Sequence, residues 1–134
     1  MSRRQAQGEE TPERRLWAQA IDWIVVLFRA LKRWPGREAL ELSGHLRVVA
    51  VSAAAQITRA WLRPPARAGS PHLERARQDL TEAETLLVVA RRLGYLTRRQ
   101  AAKLTAGALA LRMGLDERLW PRTPRTPRRR PPRR

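Results

Sequence analysis

The sequence predicts an all-α protein, an up-down antiparallel four-helix bundle, on three observations. Apolar residues recur at spacings of three and four in four separate runs. Corners built on Pro35 and Gly36, on Pro64 and Pro65, and on Gly94 divide those runs. The 134 residues, less an Arg/Pro-rich end, leave enough chain for one compact core.

Residues 1–11 read as a flexible lead-in, and Pro12 followed by Glu13 suits the first turn of a helix. Leu16, Trp17, Ala20, Ile21, Ile24, Leu27, Phe28 and Leu31 then make one apolar stripe. Arg29, Lys32 and Arg33 crowd its end, where cations meet the exposed carbonyls favourably, before Pro35 and Gly36 break the chain. A second stripe runs through Leu42, Leu46, Val49, Ala53, Ile57, Ala60 and Trp61, and the small residues around position 53 allow a neighbouring helix close. Pro64 and Pro65 stop it.

Ser70 is placed to cap a third helix that starts on Pro71. Leu73, Ala76, Leu80, Ala83, Leu87 and Ala90 form its seam; Arg75 and Asp79, four apart, are spaced to pair. Gly94 supplies a left-handed stop, and Thr97 with Gln100 reads as a capping box for the fourth helix. Ala101, Leu104, Ala108, Leu111 and Leu115 carry that helix, with Gly107 and Gly114 either weakening it or permitting close packing. The expected bundle thus spans residues 12–120. Residues 121–134 hold seven arginines, five prolines and no acid, and are expected to form a disordered basic tail.

Lys plus Arg number 28 against 12 Asp plus Glu, a net charge of +16, and two of the cations are lysines. The tail carries +7, which leaves +9 on residues 1–120. Such a surface seeks polyanions, and guanidinium matches phosphate oxygens with a planar fork of donors. Candidate nucleic-acid contacts on the bundle are Arg29, Lys32, Arg33, Arg37, Arg59, Arg63, Arg67, Arg91, Arg92, Arg98, Arg99 and Lys103. The tail adds Arg122, Arg125, Arg128, Arg129, Arg130, Arg133 and Arg134, read as an RNA or DNA contact or as a solubilising extension.

Catalysis finds no constellation: the chain has two histidines, His45 and His72, and no cysteine, zinc ligand set or phosphate-cradling glycine loop. No cofactor or metal is expected. Glu82 and Glu84, two apart on a helix, face different ways. Trp23 lies off the first stripe and is either partly buried in the protomer or, with Val26 and Trp34, an oligomer or partner anchor. The start of the chain lacks an apolar signal region, and no apolar run approaches membrane-spanning length, so a cytoplasmic location is expected.

The order of features, a Trp- and Leu-rich first helix, then RWPGREALELSGHLR, then LTEAETLLVVARRLGYLTRRQAAKL, resembles a four-helix-bundle family. That family includes proteins encoded in intervening sequences of bacterial 23S ribosomal RNA genes, and the sequence is most similar to its Avd branch, the accessory variability determinants of diversity-generating retroelements. The resemblance spans residues 16–115 and rests on Trp34 and Pro35, on Leu42, Ser43 and Gly44, and on residues 90–96 with Gln100. Ala39 and Leu40 depart from the basic and aromatic residues that Avd-like proteins tend to carry. The resemblance implies a homopentameric barrel that binds a reverse transcriptase and template RNA or cDNA, supports mutagenic cDNA synthesis and retrohoming, and contributes no active site. Two other roles fit the residues: a protein of the intervening-sequence type associated with ribosomal RNA, and a membrane-surface protein using the amphipathic first helix and cationic tail.

Overall fold

The computed structural model describes residues 11–62 and 70–121, and these form four helices. They are α1 (Pro12–Leu31), α2 (Gly36–Leu62), α3 (Pro71–Arg92) and α4 (Arg98–Leu119). The expected lead-in up to residue 10, the loop after α2 with Arg63 and Arg67, and the tail from Arg122 to Arg134 lie outside the described residues.

Each start has a local cause. The Thr11 hydroxyl accepts from the Arg14 amide at 3.1 Å, so the last residue of the expected lead-in is in fact the cap of α1. Gly36 takes φ +86°, a left-handed conformation that glycine adopts at little cost, and so turns the chain into α2. Ser70 precedes α3 but its side chain makes no capping hydrogen bond, so the expected Ser70 cap is absent and Pro71 alone preorganises that turn. At the end of α3, Gly94 has φ +83° while the Tyr95 amide donates to the Ala90 carbonyl and Gly94 to Arg91. This paired closure satisfies two carbonyls the helix leaves open. Thr97 and Gln100 then cap α4 reciprocally, at 3.0 and 3.1 Å, as the sequence predicts.

Cross-helix partners establish the antiparallel order. On α2 and α3, Gln56 meets His72 while His45 meets Glu82; on α3 and α4, Arg77 meets Asp116 while Glu84 meets Arg112. Between α1 and α4, Glu13 pairs with Arg118 and Trp23 meets Leu104. In every pair, one chain position rises as the other falls. Each helix packs on its neighbours in sequence, and α4 closes the ring on α1.

The third and fourth seams are buried as predicted, with Leu73, Leu80, Leu87, Leu104, Leu111 and Leu115 nearly inaccessible. At about 1.5–3 kcal/mol for each large side chain buried, these rows dominate the driving force. The first seam is rotated from expectation. α1 buries Leu16, Ala20, Trp23, Leu27 and Leu31, whereas Ile21 is exposed and Trp17, Ile24 and Phe28 are half-buried. The reason lies on α4. Gly107 opens a slot for the Trp23 indole, whose N–H donates to the Leu104 carbonyl at 2.9 Å. Gly114 likewise faces Leu16, so both α4 glycines serve close packing.

Candidate nucleic-acid interface

Helix direction gathers charge. The C-termini of α1 and α3 and the N-termini of α2 and α4 share one end of the bundle, where Trp34 stacks on Tyr95 with ring centroids 5.3 Å apart. Arg29, Lys32, Arg33, Arg37, Arg91, Arg92, Arg98, Arg99 and Lys103 all lie at this end, and all are at least partly exposed. In the two helical turns nearest it, the acids among the described residues are Glu38 and Glu41. None of the nine cations makes an ion pair with a described residue.

The opposite half balances its charge internally. Arg77 reaches Asp116 at 2.5 Å and Glu74 at 3.8 Å, and Arg112 reaches Glu84 at 2.7 Å and Asp116 at 3.6 Å. The Glu84 carboxylate, accepting from Arg112, pushes that guanidinium further up from its ordinary range. Arg118 pairs with the buried Glu13. Among the described residues, one half is therefore balanced by its own acids, and the other is left with mutually repelling cations that a bound polyanion would relieve.

Two antiparallel helix ends at the cationic pole form a groove of about 340 Å³. Arg29 of α1 and Arg33 just after it stand on one wall, Arg99 and Lys103 of α4 on the other, over Val26, Ala30 and Leu104. The remaining described candidate, Arg59, sits at the other end of α2, beside Arg47 in a shallow groove with Val48, Val51, Ser52 and Ala55. It does not join the pole.

The three expected interface anchors separate. Trp23 is 6% exposed and hydrogen-bonded inside the protomer, which corrects its reading as an oligomer or partner anchor: the Gly107 slot buries it. Val26 is half-buried on the groove floor, and Trp34 is half-buried against Tyr95. The Trp34 indole N–H is enclosed without a hydrogen-bond partner among the described residues.

Asp79 does not form the expected ion pair with Arg75; it accepts from the Ser52 hydroxyl at 2.7 Å. Burial pushes its carboxyl above the ordinary value of 3.8, against the Ser52 hydrogen bond and the Arg75 charge, which pull it down. His45 meets Glu82 at 2.9 Å on a half-exposed face, and His72 meets Gln56 at 3.0 Å. Neither histidine contacts a nucleophile in these pairs. Among the described residues no group of three or more His, Asp or Glu could hold a metal ion, and no helix is long and apolar enough to cross a membrane.

Sequence reasoning also missed two outer seams. Leu40, Gly44, Val48, Val51, Ala55 and Leu62 follow one outer stripe of α2, with Leu40, Val48 and Leu62 each more than 60% exposed. Ala102, Ala106, Leu109 and Met113 follow a like exposed stripe on α4, continued by Trp120 just past its end. Both follow the spacing of three and four that marks the inner seams, and that second periodicity was the available signal.

Fold and charge thus define a small antiparallel four-helix bundle with one cationic pole. Residues 13–115 match the family model of the 23S rRNA-intervening sequence protein, and the chain belongs to that family. No curated protein matches the chain significantly.

Proposed function

We propose that this protein is a non-catalytic, cytoplasmic RNA-binding accessory protein whose cationic pole holds template RNA or its cDNA for a retroelement reverse transcriptase. The observation that carries the RNA-binding part is the set of nine cations at one end without ion-pair partners among the described residues. Phosphate contacts of this kind position a strand without reading its sequence, which suits a scaffold that leaves chemistry to a partner polymerase. The reverse-transcriptase partner, mutagenic cDNA synthesis and retrohoming rest on the resemblance to Avd proteins. The Arg/Pro tail would extend the phosphate-binding surface along the strand.

Assembly into a homopentameric barrel belongs to the same proposal, supported by the outer seams. α2 and α4 occupy opposite corners of the ring of helices, so the α2 seam of one copy and the α4 seam of the next would make a heterologous contact. Such contacts close into rings when the rotation allows. Small Ala102 and Ala106 on one seam, and larger Val48 and Val51 on the other, are suited to interdigitate.

The family match favours a second reading, association with ribosomal RNA. Purification of the tagged chain from its native cell separates the two. Recovery of a reverse transcriptase with its template RNA supports the first. Recovery of ribosomal RNA without the enzyme supports the second, and absence of any RNA, at low salt as well as high, contradicts both.

A further inference from the structure

We infer that the groove between the C-terminus of α1 and the N-terminus of α4 seats an unpaired nucleotide of single-stranded nucleic acid; this rests on the RNA-binding reading above. Three features select that occupant over a duplex. The first is size. About 340 Å³ lies at the low end of the range for small-ligand sites, near one nucleotide and far below the cross-section of a double helix. A duplex would lie across the rim and touch only the outermost cations.

The second feature is the floor. Val26, Ala30 and Leu104 are apolar, and covering them gains free energy only if an apolar surface enters. A base or sugar face supplies that surface when the base is unpaired and turned out, whereas paired bases keep their faces in the stack. The third is donor chemistry. The wall cations Arg29, Arg33, Arg99 and Lys103 donate and cannot accept. The Gln100 side-chain oxygen, which would be the acceptor of the lining, already takes the Thr97 amide at 3.0 Å. The lining side chains therefore offer mainly donors, suited to phosphate oxygens and base carbonyls. No aromatic ring lines the groove, so stacking adds no preference for one base.

The test uses the full chain and fluorescence anisotropy, with a uridine dodecamer, its deoxy counterpart, a duplex of equal length and free uridine monophosphate. Two variants act differently: Ala30→Leu fills the floor without changing charge, and Lys103→Met removes one wall cation at an exposed position. Each is expected to weaken binding of both single strands about fivefold, the effect of losing one hydrogen bond or a comparable apolar contact. Duplex affinity is expected to change less than twofold in Ala30→Leu, with circular dichroism verifying its fold. Single-strand binding unaltered in both variants, with the wild-type chain still binding RNA, overturns the groove proposal and leaves RNA binding at the pole intact. Equal losses for duplex and single strand overturn it too. Displacement of the dodecamer by micromolar uridine monophosphate would make the groove a free-nucleotide pocket and overturn the strand reading. Failure of the wild-type chain to bind any of these nucleic acids at low salt refutes the RNA-binding reading itself.

Discussion

Replacing Gly107 with alanine sets two known effects against each other at one atom. In an α-helix, alanine is favoured over glycine by about 1 kcal/mol, so the change should stabilise α4 if nothing opposed it. The new Cβ, however, would stand 2.5 Å from Cδ1 and 3.2 Å from Nε1 of Trp23. These atoms belong to the five-membered ring, next to the attachment point, and cannot swing aside as a chain end would. The indole must withdraw, which costs about 1–3 kcal/mol for overpacking, plus about 1 kcal/mol if the hydrogen bond to the Leu104 carbonyl breaks. The net expectation for Gly107→Ala is destabilisation of about 1–3 kcal/mol. Two companion changes calibrate it. A Cβ at Gly44 meets nothing within 4 Å, so Gly44→Ala should stabilise by up to about 1 kcal/mol. At Gly114 the Cβ meets the terminal Cδ2 of Leu16 at 2.6 Å, a flexible end that can rotate, so Gly114→Ala should fall between the other two. Urea denaturation followed by circular dichroism and tryptophan fluorescence gives all three values. Gly107→Ala equal to or more stable than wild type would refute the claim that this glycine exists to admit Trp23.

Asp79→Asn tests burial of a carboxylate. Because the folded-state pKa of Asp79 is raised, the folded protein binds the proton more readily than the unfolded chain. The wild type therefore gains stability from this group as pH falls through the raised value towards 3.8. Asparagine keeps an acceptor for Ser52 without the charge, so the variant is expected to be at least as stable at neutral pH, with its advantage shrinking as pH falls towards 3.8; a difference constant across that window contradicts the argument. Met113→Glu, at an exposed position of the outer α4 seam, should lower the solution mass of the assembly without loss of helix content. An unchanged mass by light scattering, or a wild-type monomer at micromolar concentration, would count against the proposed ring.

Where one face of a helix meets one neighbour pair and has simple periodicity, the sequence is sufficient. The seams of α3 and α4, the Gly94 stop and the Thr97–Gln100 capping box depend on local spacing, and each is legible there. The seam of α1 is not, because apolar residues cover more than half its circumference and periodicity alone does not choose among them. Gly107, far along the chain on α4, makes the choice for Trp23. Asp79 eludes sequence reasoning for a related reason: a partner four residues along the same helix is visible in the sequence, whereas Ser52 on α2 is not. The cations of the pole can all be named from sequence, but as scattered helix ends. Antiparallel order brings nine of them to one end and separates Arg59, and the Val26, Ala30 and Leu104 floor follows from α1 meeting α4, the two helices farthest apart in the chain.

If the cationic pole holds nucleic acid, removing charge there must change how binding responds to salt. The most direct measurement is the salt dependence of single-stranded RNA binding by the full chain carrying Arg33→Gln, Arg92→Gln and Arg98→Gln, compared with wild type. Each phosphate that these arginines no longer neutralise should reduce the slope of log affinity against log salt by about 0.7, so the triple variant should have a slope shallower by about 2 and bind correspondingly more weakly at low salt. A variant with wild-type affinity and slope would contradict the account.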